Sequence, residues 1–154
     1  MGEMADLHDT NNPIQILLIE DCEGDALLVK HAIAEFPSPV KITIAPDAEE
    51  ALVLLANPLY QPELIILDLN TPKVDGHAFL VRRPAKETPA VVFTSSANPR
   101  DKEAALQSGA RDYIVKPFDL DGYAEAVSTM IRKWTRCQSS VSRQSQLRLS
   151  TQKN

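Results

Sequence analysis

Five residues that can take part in phosphate or metal chemistry each follow a short apolar run of the chain. They are Glu20, Asp21, Asp68, Thr94 and Lys116. Carboxylates gathered in one cleft repel each other, and a bound cation is the usual way to relieve that repulsion. Carboxylate oxygens favour Mg²⁺, which keeps several waters and associates with phosphates. A shielded aspartate can attack phosphorus, and an ammonium and a hydroxyl group can stabilise the charge that develops.

Asp68 is the leading candidate for the reactive residue. It follows Leu64–Leu67, a continuous aliphatic run that is typical of a strand buried on both faces. Asn70, Thr71 and Pro72 then interrupt regular structure. Because open parallel sheets place their chemistry at the carboxyl ends of their strands, this carboxylate stands where a reactive group is expected.

Apolar runs alternate with helical periodicities along the chain, which indicates an α/β fold. Strands are predicted at Ile14–Ile19, Val40–Ala45, Leu64–Asp68, Ala90–Thr94 and Asp112–Val115. Helices are predicted over about 24–36, 48–56, 75–83, 99–108 and 120–134. This alternation implies a doubly wound parallel sheet with right-handed crossovers. The carboxyl ends of the strands then share one rim, which brings the five candidate residues together.

The composition is that of a single globular domain. The chain has 154 residues, of which 44% are hydrophobic and 24% are charged. We expect an N-terminal extension over 1–13, a folded domain over 14–136 and a mobile, polar and basic tail over 137–154. No apolar run approaches the about 18 residues of a membrane span, and the acidic N-terminal segment lacks the features of a secretory signal. We therefore expect a cytoplasmic protein without a membrane partner.

Charge is distributed unevenly along the chain. The net charge is −5, yet no acidic residue follows Glu125, while six of the 16 basic residues do. The rest of the chain is therefore strongly acidic and repels nucleic acid phosphates. Cys22 and Cys137 are far apart and lack the spacing of a zinc site or a disulfide framework. We expect no nucleic acid partner and no metal site built on thiolates.

Four segments of the chain resemble the receiver domain of two-component response regulators. They are Ile19-Glu20-Asp21, Leu67-Asp68-Leu69-Asn70-x-Pro72-x-x-Asp75-Gly76, Val91-Val92-Phe93-Thr94-Ser95 and Tyr113-x-x-Lys116-Pro117-Phe118. The resemblance runs from about Ile14 to Trp134, and these motifs in this order are highly specific. It implies a flavodoxin-like fold of five parallel strands in the order 2-1-3-4-5, a (βα)5 arrangement.

The resemblance also implies a role for each residue of the acceptor site. Asp68 would accept a phosphoryl group from a phosphohistidine on a sensor histidine kinase. Asp21, Asp68 and the backbone carbonyl of Asn70 would bind Mg²⁺, with Glu20 acting mainly through water. Asn70 and Ser96 occupy positions that resemble those tuning the lifetime of the phosphoryl group.

A second set of implied roles concerns the response to phosphorylation. Lys116 would pair with the phosphoryl group, and a cis Lys116–Pro117 bond would fix the direction of the lysine side chain. Thr94 would swing its hydroxyl group to a phosphoryl oxygen, and Tyr113 would follow inward. The surface made by the fourth helix, the fifth strand and the fifth helix would then switch between two states.

Two details resemble a subgroup, the small single-domain regulators paired with phytochrome-type histidine kinases. They are the opening Glu20-Asp21-x-x-Gly24-Asp25 and Trp134 at the end of the last helix. Regulators of that subgroup often dimerise, so the resemblance implies a phytochrome-type kinase and a second copy as partners. The chain departs from the family in one place, because Arg83-Pro84-Ala85 replaces about one turn of the third helix.

Three other functions can be weighed against this interpretation. Asp68–Thr71 resembles the nucleophile motif of haloacid-dehalogenase-type phosphatases, but Asn70 cannot be the acid which that chemistry needs. The stretch after Trp134 is too short for a helix-turn-helix output domain of a transcription regulator. A scaffold that ignores phosphorylation would not need the acidic pair, Asp68 or Lys116. We therefore expect a phosphoacceptor, and not an enzyme acting on foreign substrates.

Overall fold

The computed structural model describes residues 12–69 and 75–135, and within them strands and helices alternate throughout. The strands are β1 (Ile14–Ile19), β2 (Val40–Ala45), β3 (Leu64–Leu67), β4 (Ala90–Thr94) and β5 (Asp112–Val115). The helices are α1 (Glu23–Ala34), α2 (Ala48–Ala56), α3 (Gly76–Arg82), α4 (Pro99–Gln107) and α5 (Leu120–Trp134). The predicted alternation is confirmed, with Asp68 placed one residue beyond β3 and α1 ending before Phe36.

The strands form one parallel sheet in the order β2-β1-β3-β4-β5, which confirms the flavodoxin-like topology predicted above. Helices α1 and α5 cover one face of the sheet, and α2, α3 and α4 cover the other. Successive residues of β1 contribute to opposite faces of the sheet. Leu18 lies in the apolar core beneath α1 and α5, and Leu17 and Ile19 lie in the core beneath α2, α3 and α4. Two apolar layers therefore hold the strand ends at a defined rim.

The two central strands carry the most apolar sequence because both of their faces are covered. All four residues of β3 are fully buried, as are the five residues of β4. This burial explains the uninterrupted aliphatic run before Asp68. It also means that the backbone carrying Asp68 and Thr94 is held from both sides by packed side chains.

Side-chain caps set where several helices begin. Asp47 accepts a hydrogen bond from the amide of Glu50, and Asn98 accepts one from the amide of Arg100. Pro99 occupies the first turn of α4, as predicted. Gly109 has a φ of 115°, a left-handed conformation that glycine adopts without steric cost. Local sequence signals therefore determine both ends of α4.

Helix α3 is short because the chain turns away at Arg83. The buried guanidinium of Arg83 donates from Nη1 to the carbonyl oxygens of Ala85 and Thr88, each at 2.9 Å. Ala85 has a φ of 57°, in the left-handed region that residues with a Cβ rarely adopt. Arg83 thus organises the loop between α3 and β4, where the sequence departs from the family pattern.

No helix in 12–69 or 75–135 is long and apolar enough to cross a lipid bilayer. The expected tail over 137–154, nearly all of the expected extension over 1–13, and Asn70 lie outside the described residues. The expectations about these segments therefore stay predictions.

Candidate functional site

The predicted rim residues lie together at the carboxyl edge of the sheet. Glu20 follows β1, Asp68 follows β3, Thr94 ends β4 and Lys116 follows β5. The sheet's hydrogen bonds continue past the strands at three of these positions, and at the first of them the amide of Glu20 donates to the carbonyl of Ala45 at 3.0 Å. The amide of Asp68 donates to the carbonyl of Ile19 at 3.2 Å, and the amide of Lys116 donates to the carbonyl of Thr94 at 2.7 Å. The backbone of the site is therefore an extension of the sheet.

The ammonium of Lys116 lies among three carboxylates. Its Nζ is 2.9 Å from Oδ2 of Asp68, 3.1 Å from Oδ2 of Asp25 and 3.3 Å from Oε2 of Glu20. The side chains of Lys116, Asp68 and Glu20 are 9%, 7% and 3% exposed, whereas that of Asp25 is 37% exposed. Negative charge therefore exceeds positive charge in this nearly closed cluster.

Burial and neighbouring charge shift the protonation equilibria of this cluster. Burial, together with a hydrogen bond with the Asp68 carboxyl group, raises the pKa of Glu20 from 4.5 to about 7. Burial alone would lower the pKa of Lys116, but hydrogen bonding and charge from Asp68, together with the charge of Glu20, raise it above its ordinary value. Lys116 is therefore a permanent cation, while Glu20 changes its charge near neutral pH.

The donor set of this cluster fits a hard divalent cation. Glu20 and Asp68 offer buried carboxylate oxygens, and one ammonium does not neutralise the acidic side chains around it. Asp21 is exposed at the edge of the site. Within the described ranges, the group of at least three side chains whose potential ligand atoms all lie within 4.8 Å of one another is Glu20, Cys22 and Asp25, and it contains neither Asp21 nor Asp68. The role of Asp21 as a ligand stays a prediction.

Thr94 and Tyr113 are joined through the backbone of the loop after β4. Thr94 is fully buried, and its Oγ1 accepts a hydrogen bond of 3.4 Å from the amide of Ser96. The Tyr113 hydroxyl group donates to the carbonyl of Ser96 at 2.8 Å, and its ring is buried. Ser96 also donates from Oγ to Asp101 of α4 at 2.6 Å. Tyr113 therefore already lies inward in this structure.

The expected cis bond before Pro117 is not found. The described residues contain no cis peptide bond, so the Lys116–Pro117 bond is trans. The trans isomer is favoured by about 0.5–1 kcal/mol for bonds that precede proline. From this isomer the side chain of Lys116 reaches Asp68. The predicted pairing of Lys116 with the phosphoryl group stays a prediction.

Asp25 is a member of the site that the sequence did not identify as one. It belongs to the Glu20-Asp21-x-x-Gly24-Asp25 opening of the sequence, and it lies in the first turn of α1. The signal that could have found it is its position, because the start of α1 follows the rim residue Glu20 directly. Its pairing with Lys116, 91 residues away, depends on how α1 packs on the sheet.

The chain was compared with known families and proteins. Residues 16–128 match the family described as the response regulator receiver domain. Over 110 residues the chain is 43% identical to an uncharacterized 14.6 kDa protein in the sodA1 3' region of Leptolyngbya boryana, covering 69% of this chain and 81% of that protein. The chain spans about half the length of several other curated relatives, between 51 and 58%, which are named as response or transcriptional regulators.

Two solved structures are similar in both fold and sequence. The phosphorylated cyanobacterial phytochrome response regulator RcpA aligns with a TM-score of 0.72 and 30% identity, covering 80% of this chain and 94% of that chain. The Mn²⁺-bound form of the response regulator Rcp1 aligns with a TM-score of 0.69 and 30% identity, covering 80% and 95%. Together with the match over 16–128, these similarities show that the chain belongs to the family of response regulator receiver domains.

Proposed function

We propose that Asp68 accepts a phosphoryl group from a phosphohistidine on a sensor histidine kinase, in a reaction that requires Mg²⁺. The observation that carries this proposal is the 2.9 Å pair between Lys116 and Asp68 at the carboxyl rim of the sheet. The carboxylate oxygen of Asp68 attacks phosphorus to form an acyl phosphate, and the P–N bond breaks. The imidazole of the kinase histidine leaves with the bonding electron pair and takes up a proton.

The acidic residues near Asp68 provide the proposed metal site. Glu20, Asp21 and Asp68, with the backbone carbonyl of Asn70, would hold Mg²⁺, with Glu20 acting mainly through water. The excess of carboxylates over ammonium groups in the cluster supports a divalent cation there. The Mn²⁺-bound form of Rcp1 is a structural neighbour that supports the same assignment. When bound, the ion would shield the charge of the phosphoryl oxygens from the attacking carboxylate.

Lys116 and Thr94 would recognise the phosphoryl group once it is attached. Phosphorylation adds about −1.5 to −2 charge, and each charge-assisted hydrogen bond contributes about 1.5–3 kcal/mol. Moving a two-state equilibrium from 1:99 to 99:1 requires about 5.5 kcal/mol. Two such bonds supply most of this free energy, which makes a switch of the loop after β4 energetically feasible.

The proposed response would spread from Thr94 through the loop after β4. Tyr113 and Thr94 both bond the backbone of Ser96, and Ser96 bonds Asp101 of α4. A movement of the Thr94 hydroxyl group toward the phosphoryl group would therefore change contacts to both β5 and α4. We propose the surface of α4, β5 and α5 as the switching element, and Asn70 and Ser96 as residues that tune the phosphoryl lifetime.

The proposed kinase is of the phytochrome type, and a second copy of the chain is a further proposed partner. The similarity to RcpA, a cyanobacterial phytochrome response regulator, supports the kinase assignment. Transfer of phosphoryl groups from a purified phytochrome-type kinase should be faster than transfer from a histidine kinase of another sensor class. Sedimentation with and without phosphorylation tests the dimer, and a monomer in both states would contradict it.

Acetyl phosphate provides a direct test of the acceptor. Incubation with acetyl phosphate and Mg²⁺ should add one phosphoryl group, measured by intact-mass spectrometry, and EDTA should prevent the addition. Asp68→Asn should remain unmodified, whereas Asp121→Asn, which changes an exposed aspartate of α5, should react like wild type. Modification of Asp68→Asn to the wild-type extent, or an unmodified wild type with both acetyl phosphate and kinases, would contradict the proposal. Multiple turnover of small phosphate esters would instead favour a phosphatase.

A further inference from the structure

The Asp25 carboxylate differs from the other two acidic partners of Lys116. Glu20 and Asp68 directly follow strands at the rim, but Asp25 belongs to the first turn of α1. Its Oδ2 is 3.1 Å from Nζ of Lys116, and its side chain is 37% exposed. Asp25 is therefore the more solvent-exposed of these two partners, while the side chain of Asp68 is 7% exposed.

The backbone of Asp25 is also linked to α5. The hydroxyl group of Tyr123 donates to the carbonyl oxygen of Asp25 at 3.5 Å. The buried ring of Tyr123 packs edge-on against Phe93, with ring centroids 5.1 Å apart. Nζ of Lys116 lies 5.8 Å from the centroid of the Phe93 ring, within the range of a cation–π contact. Packed aromatic rings therefore contact the backbone of Asp25 and lie near the ammonium of Lys116.

The three carboxylates take part in the proposed reaction in different ways. Glu20 and Asp68 belong to the proposed metal site, and the carboxylate of Asp68 loses its charge when it becomes an acyl phosphate. Asp25 is not the acceptor and is outside the proposed ligand set, although its carboxylate lies within 4.8 Å of potential ligand atoms of Glu20 and Cys22. It is thus the one acidic partner of Lys116, among the residues described, that the proposed reaction leaves available to the ammonium throughout.

We propose that Asp25 is a positioning residue that holds the ammonium of Lys116 beside the phosphoryl acceptor. This inference rests on the proposed function of Asp68 and deepens it. With Asp25 in place, the ammonium stays at the acceptor when metal binding and phosphorylation change its contacts to Glu20 and Asp68. Without that charge the lysine side chain is more mobile, and phosphoryl transfer is slower.

The test compares variants of the full chain in two measurements. The first is the rate of phosphorylation by acetyl phosphate at a Mg²⁺ concentration that saturates each variant. The second is hydrogen exchange at Nζ of Lys116, observed by ¹H–¹⁵N NMR of the lysine ammonium without phosphodonor. The variants are Asp25→Asn, the charge-conserving Asp25→Glu, and Glu23→Gln, which neutralises an exposed acid in the same helical turn.

Asp25→Asn should slow phosphorylation and accelerate exchange at Nζ by about two- to five-fold each, the range expected for loss of one partly exposed ion pair. Asp25→Glu should recover most of the rate, and Glu23→Gln should match wild type. The inference is overturned if Asp25→Asn changes only one of the two quantities or neither, if Glu23→Gln has the same effect, or if Asp25→Glu recovers nothing. A wild-type chain that neither acetyl phosphate nor histidine kinases modify overturns the proposed function, and the exchange comparison alone then decides whether Asp25 holds Lys116.

Discussion

The ammonium of Lys116 lies 2.9 Å from Oδ2 of Asp68, although 48 residues of sequence separate the two. Both side chains are almost completely buried, at 9% and 7% exposed. The attraction within a buried ion pair often does no more than offset the cost of desolvating its two members, but removal of one member leaves the other uncompensated. The pair is therefore important to the stability of the rim as well as to its proposed chemistry.

Lys116→Ala should lower the free energy of unfolding by about 3–5 kcal/mol in metal-free buffer, because buried carboxylates lose their cation. Chemical denaturation with EDTA present measures this difference. Lys102→Ala, which truncates an exposed lysine of α4, provides the control and should change stability by less than about 0.5 kcal/mol. Equal stability of the two variants would contradict the importance assigned to the buried pair.

Glu20 should make the stability of the metal-free protein depend on pH. Its pKa is raised from 4.5 to about 7 by burial and by the Asp68 carboxyl group, so the folded state binds more protons than the unfolded state between these values. The free energy of unfolding should therefore fall as pH rises from about 4.5 to 7. Glu20→Gln cannot titrate and should flatten this part of the profile, measured by denaturation with EDTA. Parallel profiles for both proteins would contradict the shift.

Tyr113→Phe tests the bond that connects β5 to the loop after β4. The variant keeps the buried ring but removes the hydroxyl group that donates to the carbonyl of Ser96 at 2.8 Å. We expect a loss of about 1 kcal/mol in unfolding free energy. Backbone NMR should show its largest amide shifts around Ser96 and Thr94. Shifts confined to β5 would show that the hydroxyl group does not hold the loop.

Arg83→Met tests the loop that follows the shortened α3. The substitution leaves the carbonyls of Ala85 and Thr88 without the charged donor of Arg83, which should cost about 2–4 kcal/mol. Arg82→Met is the matched control, because Arg82 is exposed and pairs only at the surface with Glu49, at 3.6 Å. Its cost should stay below about 1 kcal/mol. Similar denaturation midpoints for the two variants would contradict the role of Arg83.

Local patterns in the sequence were enough to predict a doubly wound parallel sheet and the rim at which the candidate residues lie, whereas the strand order was implied by the family resemblance. The buried run before Asp68 identifies a central strand, and Asn98, Pro99 and Gly109 bound α4 correctly. These predictions succeed because burial on two faces and helix capping depend on neighbouring residues along the chain. Since parallel strands end at one edge, the convergence of Asp68 and Lys116 follows from the same alternation.

The contacts within the site were decided by the tertiary structure. The pairing of Asp25 with Lys116 depends on how α1 packs beside the rim, which no local pattern encodes. The isomer of the bond before Pro117 depends on a preference of only about 0.5–1 kcal/mol, which surrounding contacts can reverse. The inward position of Tyr113 likewise depends on a carbonyl 17 residues earlier in the chain. Sequence by itself determined that Glu20, Asp68, Thr94 and Lys116 meet at the rim, whereas side-chain packing between distant elements added Asp25 and decided which of these groups touch.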